Sequence, residues 1–302
     1  LAVLELPFSY YLGYLHEHAY GLSKQTPKDW LTDYLLDTAV QMLFALLSWL
    51  PLYWCMRRWQ RTWWLPASVI NLAFMGLLVF LSPLILLPMQ GQVRDATDPQ
   101  VLAMVQRIAH KAGVDVEAVK VIEVSARTSR VNAMVTGMGA TKQVVFYDTL
   151  LQQFKPAEIE VVMAHEMSHA IEHDVVKGWL LSGLADTGIL LVTAWMLRGM
   201  VGVGPMHLPT PYAARGLALV MLLTTLFGQV TAPVHNAVSR MAEVKADRFA
   251  LQMTGNPTAF IGTFKKLAAG NPGDVDPPAV VEMLSHTHPS IMNRIRSAHA
   301  HY

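Results

Sequence analysis

Residues Ala164–Asp174 read AHEMSHAIEHD, and the rest of the chain is best interpreted outward from this stretch. It contains an H-E-x-x-H motif, whose two histidines would share one face of a helix, one turn apart. His165 and His169 can therefore offer two imidazole nitrogens to one tetrahedral Zn²⁺. Glu166, next to the first histidine, is placed to take a proton from zinc-bound water. The chain has 12 histidines, so the short motif can also arise by chance and needs a third ligand.

The sequence around the motif predicts a helix. Pro156 suits the first helical position, and Glu158 and Glu160 place negative charge near the positive end of the helix dipole. Neither glycine nor proline occurs in Ala157–Lys177. We therefore expect the helix to run through this range without interruption, with His173 on its face rather than at the metal.

A small β-sheet is predicted upstream of the motif. Three runs rich in β-branched and aromatic residues have the strand pattern: Val119–Val124, Val131–Thr136 and Gln143–Tyr147. Gly137-Met138-Gly139 is expected to form a turn between the second and the third run. Before the sheet, Asp98 is expected to cap a helix that ends at Gly113.

The segments farther upstream have the composition of membrane helices. Hydrophobic residues make up 53% of the chain and charged residues 15%, below the usual share of about a quarter. Thr38–Met56 contains no formal charge, and a second uncharged run includes a candidate span near 64–88. Both are long enough to cross a bilayer, and residues 1–20 read as the end of another span. The net charge of +1 gives no electrostatic reason to expect nucleic acid binding.

Two further spans are predicted downstream of the motif. Gly178–Leu197 is apolar except for Asp186, and Gly216–Ser239 contains no Asp, Glu, Lys or Arg. Asp186 either lines an internal cavity or is a core carboxylate with its own hydrogen-bond partners. Because two spans separate them, the motif and the segment after residue 240 should lie on the same face of the membrane.

The segment after the fourth span can supply the third ligand. Glu243 lies in a stretch predicted to be helical from Arg240 to Lys266, and Asp247 follows one turn later. Glu243 can bind the metal while Asp247 accepts a hydrogen bond from a ligand imidazole. The alternative is a solvated helix face, since the sequence SRMAEVKADR is highly charged.

Five further motifs resemble those of the zinc-dependent CaaX prenyl protease (type I) family. The stretches are YGLSKQT at Tyr20–Thr26, VNAMVTG at Val131–Gly137, KQVVFYDTLL at Lys142–Leu151, S-R-x-x-E-x-x-A-D at Ser239–Asp247, and His288-Pro289 with Arg294. Their family counterparts are HGFNKQT, SNAYxxG, KRIVLFDTLL, the same S-R-x-x-E-x-x-A-D pattern and H-P-P-x-x-x-R. The motifs extend over most of the chain and are far more specific than H-E-x-x-H alone.

The resemblance implies a fold, an activity and the roles of several residues. The family consists of integral membrane gluzincins that enclose a helical chamber and hydrolyse peptide bonds with one zinc ion per chain. The strand around Asn132 and Ala133 would lie at the edge of the cleft, where an extended peptide can pair with it as an added strand. His288 and Arg294 would join Glu166 in catalysis by holding the substrate or the tetrahedral oxyanion. His288-Pro289 can instead merely cap a helix.

The chain departs from the family pattern at several positions. Tyr20 and Ser23 replace His and Asn, and Ser290 replaces the second Pro. The family pattern predicts a histidine five residues past His169, whereas His173 comes at four. Given these departures, the sequence does not decide whether the substrate is prenylated.

Together these features define a fold class and four segments. We predict a mainly α, polytopic α-helical membrane protein with a zinc metalloprotease domain that contains a small β-sheet. The expected segments are membrane helices in 1–93, a metalloprotease core in 94–176, two membrane helices in 177–239, and the remaining protease segment with the third ligand in 240–302.

The expected partners are membrane lipid and a peptide or protein substrate, lipidated or not; the oligomeric state stays open. The alternatives to CaaX-type processing are a membrane-protein quality-control protease and a non-catalytic zinc-bearing membrane scaffold, and the presence of Glu166 favours an enzyme. The resemblance places the catalytic face in the cytoplasm. The positive-inside rule argues the opposite, because the loops on the other face carry arginines and no acidic residue. These arginines are Arg57, Arg58, Arg61, Arg198 and Arg215.

Overall fold

A computed structural model of the chain describes residues 2–137, 142–201, 208–270 and 273–301. Within these ranges the protein consists mainly of helices, with one four-stranded sheet. The chain begins with α1 (Ala2–Tyr10), a π-helical segment (Tyr11–His16) and α2 (Glu17–Ala19). The four long helices are α3 (Pro27–Arg58), α4 (Trp64–Gln90), α8 (Asp174–Met200) and α9 (Ala214–Thr254). The shorter helices are α5 (Pro99–Ala112), α6 (Asp148–Gln153), α7 (Pro156–Ile171), α10 (Pro257–Gly270), α11 (Ala279–Ser285) and α12 (Ile291–His301).

The four long helices are long and apolar enough to cross a membrane. At most 22% of the apolar window of each helix is buried inside the protein, so most of this surface is left for lipid. Helix α3 begins at Pro27, well before the predicted span, because Thr26 caps it. The Thr26 hydroxyl accepts a hydrogen bond from the Asp29 N–H, and the Asp29 carboxylate accepts one from the Thr26 N–H.

Helix α9 joins a membrane span to the third-ligand segment without a break. Pro233 lies inside it, and the helix continues past Glu243. The expectation that this helix extends to Lys266 is wrong. Gly255 adopts the left-handed conformation (φ 58°) and ends α9, and α10 begins at Pro257.

The sheet has the strand order β1-β2-β4-β3. Its strands are β1 (Gln92–Asp95), β2 (Ala118–Glu123), β3 (Ala133–Thr136) and β4 (Gln143–Tyr147). Strands β2 and β4 are parallel, and the other two pairs are antiparallel. Because β3 is last in the strand order, it forms one edge of the sheet. The three predicted strands are confirmed within two residues, whereas β1 is an addition that directly follows the apolar run of α4. The predicted turn at Gly137-Met138-Gly139 extends into residues outside the described ranges.

Helix α7 lies at the centre of the largest buried cluster. It packs against β3, α5, α9 and α10, and its buried Met163 and Met167 join Phe146 and Phe260 in this cluster. Burying each such side chain stabilises the fold by about 1.5–3 kcal/mol relative to leaving it exposed. The buried side of α7 fixes the rotation of the helix and therefore the direction of His165.

Helix α7 ends earlier than the sequence predicts. The expected uninterrupted helix Ala157–Lys177 is wrong: α7 stops at Ile171, His173 adopts a left-handed backbone (φ 54°), and α8 begins at Asp174. Few non-glycine residues adopt this conformation, and here it turns the chain from α7 into a membrane helix. His173 therefore lies at a helix junction and not on a helix face.

The division of the chain into four segments stays a prediction. Strand β1 extends across the first of the proposed boundaries, at residues 93 and 94, and α9 extends across the last, at residues 239 and 240.

Candidate active site

Helices α7 and α9 bring the three predicted metal ligands together. His165 and His169 project from successive turns of α7, and Glu243 faces them from α9. His165 Nε2 lies 3.2 Å from Glu243 Oε2 and 3.3 Å from His169 Nε2. His169 Nε2 lies 3.4 Å from Glu243 Oε1. The ligand atoms that the three residues offer all lie within 4.8 Å of one another.

A carboxylate holds the far side of each imidazole. His165 Nδ1 lies 3.1 Å from Asp247 Oδ1, and His169 Nδ1 lies 2.8 Å from Asp174 Oδ2. Donation from each Nδ1–H leaves the Nε2 lone pair directed at Glu243, as a metal ligand requires. Asp247 makes the contact that the sequence predicted, whereas Asp174 was missed because the helix was expected to continue through it. Its position was nevertheless a signal, since Asp174 is five residues past His169, where the family pattern predicts histidine.

The three ligand atoms form a site that suits a cation. With the imidazoles oriented in this way, two nitrogen lone pairs and a carboxylate face one another, an arrangement that a bound cation stabilises. Glu243 Oε2 is buried and accepts no hydrogen bond from the part of the chain that the structure describes. Ligand atoms about 2.1 Å from a tetrahedral Zn²⁺ are about 3.4 Å apart, close to the separations seen here. The donor set and its spacing therefore fit zinc.

The titration of His169 supports the same conclusion. Burial lowers the pKa of this imidazole, but its contacts with the carboxylates of Glu243 and Asp174 outweigh burial and raise the pKa to about 9. The surrounding carboxylates therefore stabilise positive charge at the centre of the cluster.

A cleft of about 320 Å³ lies beside the cluster. Its walls include Glu166, Asn132 and Ala133 together with the three candidate ligands. Burial is the main cause of a raised pKa at the Glu166 carboxyl. The same carboxyl accepts a hydrogen bond from the backbone N–H of Val135 in β3, which lowers the pKa in part. The structure thus brings the predicted base and the predicted substrate-binding strand into contact.

The edge of β3 is available for pairing with another strand. Tyr147 N–H donates to Asn132 O at 2.9 Å, which makes these residues a hydrogen-bonded pair. Hydrogen-bonded and non-hydrogen-bonded pairs alternate in an antiparallel ladder, so the backbone groups of Ala133 and Val135 point to the free edge. Both predicted substrate-binding residues line the cleft; Asn132 is exposed, whereas Ala133 is buried and can offer only its backbone groups.

Arg294 and His288 approach Glu243 from another side of the cleft. Arg294 is buried and donates to Asp247 through Nε (2.8 Å) and Nη2 (2.5 Å). Its guanidinium lies 4.1 Å from the Phe264 ring centre. His288 Nε2 lies 3.3 Å from Glu243 Oε1, and 59% of the His288 side chain is exposed. Both residues line the cleft, but only His288 has most of its side chain exposed.

Two family models match the chain. The model of peptidase family M48 matches residues 95–301, more than half of the chain. The chain belongs to peptidase family M48. A second model, described as the CAAX prenyl protease N-terminal region with five membrane helices, matches residues 1–92 of this M48 protein. The resemblance to CaaX prenyl proteases that the motifs indicated is therefore confirmed.

Relatives of the M48 protein and a solved structure agree with this assignment. The protein is 31% identical over 98% of its length to an uncharacterized metalloprotease of Bacillus subtilis, YhfN, and covers 70% of it. It is 25% identical over 97% of its length to a CAAX prenyl protease 1 homolog of Dictyostelium discoideum and covers 68% of it. The crystal structure of S. mikatae Ste24p has the same fold, with a TM-score of 0.85 and 21% identity, over 98% of this chain and 72% of that chain.

These matches establish the class of the protein. It is an integral, multi-pass membrane metallopeptidase that acts on peptide or protein substrates. The predicted fold class, a mainly α membrane protein with a small sheet, is confirmed. Family membership implies a metal, and His165, His169 and Glu243 form a possible site for it.

Proposed function

We propose that this M48 protein is a zinc endopeptidase that cleaves membrane-associated proteins, with Glu166 as the general base. The supporting observation is that His165, His169 and Glu243 converge on one point while Glu166 lines the same cleft. The same protein has four helices that are long and apolar enough to span a membrane. This suits substrates that are themselves at the membrane.

One zinc ion per chain would be held by the Nε2 atoms of His165 and His169 and by the carboxylate of Glu243. When bound, such an ion polarises the scissile carbonyl and lowers the pKa of the attacking water. Asp247 and Asp174 keep the two imidazoles in the tautomer that the site needs. Three protein ligands leave a position for water and substrate.

Glu166 and strand β3 would act on the same substrate. Glu166 takes the proton from the attacking water and delivers it to the leaving amine. Glu166 lies on α7, which packs against β3, and its side chain lines the same cleft as Ala133. The N–H and C=O of Ala133 remain for an extended substrate, which would add to the edge as a further strand.

His288 and Arg294 would have different roles. The exposed His288 imidazole, 3.3 Å from Glu243, would contact the substrate or the oxyanion. Arg294 would act as a positioning residue, because its two hydrogen bonds to Asp247 lie behind the His165 ligand and its Nη2 lies 3.4 Å from the Glu243 ligand. Alanine at either position should lower activity, but only Arg294→Ala should also weaken metal binding.

We further propose CaaX-type, lipidated substrates and a cytoplasmic catalytic face. Residues 1–92 match the CAAX prenyl protease N-terminal model, and the relative named CAAX prenyl protease 1 homolog aligns with 97% of the chain. A reporter active only outside the cytoplasm should be silent after residue 302 and active within the loop at residues 57–61. The reverse pattern would assign the face that the arginine bias of the loops favours.

The general base is tested by Glu166→Gln in purified protein with a quenched peptide substrate. Hydrolysis should fall by about 10²–10⁴-fold while bound zinc and the melting temperature stay unchanged. Glu160→Gln is the matched control on the same helix, where Glu160 pairs with Arg107 at 2.8 Å. Turnover of Glu166→Gln within tenfold of the wild type would remove Glu166 as the base.

The substrate class is tested by trapping. Proteins that co-purify with Glu166→Gln from membranes, and not with the wild type, are identified by mass spectrometry. Enrichment of proteins with a prenylated C-terminal cysteine supports CaaX processing. Enrichment of unmodified membrane proteins instead would support the quality-control alternative.

A further inference from the structure

A polar pair inside the membrane helices has no part in the mechanism above. Asp186 lies near the middle of α8, and Asn71 of α4 donates a hydrogen bond to it (Nδ2 to Oδ2, 3.2 Å). A carboxylate in an apolar environment is costly unless it is paired with positive charge. One amide hydrogen bond offsets only part of that cost. The Asp186 carboxylate is therefore suited to binding a cation.

Two cavities meet at this pair. One, of about 280 Å³, lies between α4, α8 and α9 and follows α8 from Asp174 to Asp186. The other, of about 230 Å³, lies farther from the metal cluster and is also lined by Asn71 and Asp186. Among the residues that the structure describes, the walls of both cavities contain no lysine or arginine. The carboxylate thus borders open space and is a cavity residue, and His235 of α9 is the one wall side chain among the described residues that can carry positive charge.

The first cavity begins behind the His169 ligand, on the side of the imidazole away from its metal-facing Nε2. Asp174, which lines the cavity, hydrogen-bonds to His169, which lines the cleft. Asp186 is twelve residues farther along α8, a distance of about 18 Å. An extended peptide spans about 3.3 Å per residue. A chain that runs beside α8 from the level of Asp174 therefore reaches Asp186 after about six residues.

The walls of this path are held in place by contacts between α4 and α8. Trp179 Nε1 donates to Leu72 O at 2.9 Å. A Cβ added at Gly76 would lie 2.7 Å from the Trp179 ring, so the two helices can approach this closely only with glycine there. The cavity is consequently a fixed space between packed helices.

We propose that Asp186 and Asn71 bind the cationic side chain, lysine or arginine, of a substrate segment that extends from the cleft into the membrane helices. The cation would lie about six residues past the start of the first cavity, at the spacing derived above. Its charge supplies the partner that Asp186 lacks, and Asn71 orients the carboxylate. The apolar side chains of the walls, among them Leu72, Met75 and Val79, suit apolar substrate residues on either side. This inference rests on the proposed endopeptidase function and adds a substrate determinant to it.

The test measures binding, so that it does not depend on catalysis. Fluorescein-labelled peptides of one apolar sequence carry a single lysine, moved one position at a time, and each has an acetyl-lysine counterpart of similar shape. Their affinities for Glu166→Gln protein in lipid nanodiscs are measured by fluorescence anisotropy. At the favoured position, the lysine peptide should bind about tenfold more tightly than its acetylated counterpart.

The variants assign that preference to the polar pair. Asp186→Asn should reduce the difference between lysine and acetyl-lysine to less than about twofold, whereas Asp186→Glu, which keeps the charge, should retain part of it. Ser182→Ala changes another polar residue of the same cavity wall and should leave the preference unchanged. Peptides that bind without any lysine preference, or a preference that survives in Asp186→Asn, would overturn the proposal.

Two further outcomes separate this proposal from its alternatives. Wild-type protein cleaves the lysine-free peptide if the endopeptidase function is right, and mass spectrometry then gives the spacing of the favoured lysine from the scissile bond. A favoured lysine next to the scissile bond contradicts the site at Asp186 while leaving the protease function intact. Dodecylammonium that binds through Asp186 where no lysine peptide does would assign the site to an amphiphilic amine and overturn the substrate assignment.

Discussion

Helix α9 has two halves that share a backbone but differ in their surroundings. In the half nearer the C-terminus, side chains are buried against the protease domain: Glu243, Ala246, Asp247 and Ala250. In the membrane half, a stripe of apolar side chains four residues apart is more than half exposed: Leu222, Leu226, Val230 and Val234. Close packing is therefore concentrated in the half of α9 that holds the candidate metal ligand Glu243 in position. In the membrane half, lipid covers the exposed side chains.

The largest effect should come from the packed half, at the ligand itself. Glu243→Ala should remove the metal and lower hydrolysis by at least about 10³-fold, more than the loss of an outer carboxylate costs. Metal is measured by mass spectrometry of the purified protein. Lys245→Ala is the control two residues along the same helix, since Lys245 is exposed and only 3.8 Å from Glu172. Full metal occupancy in Glu243→Ala would point to a different ligand.

The two carboxylates behind the histidines should have intermediate effects. Asp174→Asn and Asp247→Asn should each weaken zinc affinity or activity by about 10–100-fold. Asp247→Asn should be the more severe, because it also removes the carboxylate that accepts two hydrogen bonds from the buried Arg294 and leaves that residue only the 3.4 Å contact with Glu243. Competition with a zinc chelator measures the affinity. Equal and unchanged affinities in both variants would mean that neither carboxylate orients a ligand.

One substitution in each half of α9 compares their packing directly. Ala246 is fully buried, so Ala246→Leu should destabilise the protein by about 1–3 kcal/mol through overpacking. Val230 is 72% exposed, so Val230→Leu should change stability by less than about 0.5 kcal/mol. Thermal unfolding in one lipid mixture measures both. Similar losses in the two variants would show that the membrane half is also closely packed.

Metal removal should affect the two halves of α9 differently, and this test needs no mutation. Chelation removes the ion that joins Glu243 to the two histidines, so amide hydrogen exchange in residues 240–251 should rise by about tenfold. Exchange in residues 216–235 should stay the same, because lipid and helix geometry protect those amides. A uniform rise along α9 would show that the metal stabilises the whole helix.

The sequence predicted the features that depend on local pattern. Uncharged runs identify membrane spans because burying charge in lipid is costly, and the four-residue spacing of His165 and His169 places both on one helix face. Glu243 and Asp247 are also four residues apart, so they too lie on one helix face. The three predicted strands follow from β-branched runs between turn residues.

The missed features depend on backbone conformation and on tertiary contacts. Asp174 reaches His169 only because His173 takes a left-handed backbone between two helices, and composition does not specify such a turn. The sequence did not predict that α9 is one continuous helix, because its membrane half is apolar and its other half is charged. A helix can nevertheless continue through such a change in polarity. The early start of α3 depends on the reciprocal hydrogen bonds of Thr26 and Asp29.

Pro233 gives α9 a mechanical weak point close to the metal ligands. Proline removes one backbone hydrogen bond, so the helix axis bends there more easily than elsewhere. Glu243 is ten residues farther on, about 15 Å, so a bend of only about 8° would displace it by about 2 Å, roughly the length of a zinc–ligand bond. Just past the proline, Asn236 donates to Leu284 O at 2.8 Å, and Arg240 donates to His286 O at 2.6 Å. Through these contacts, helix α11 and the residue that follows it restrain α9 beyond the proline. How easily these contacts yield therefore determines how much a change in the bilayer can displace Glu243.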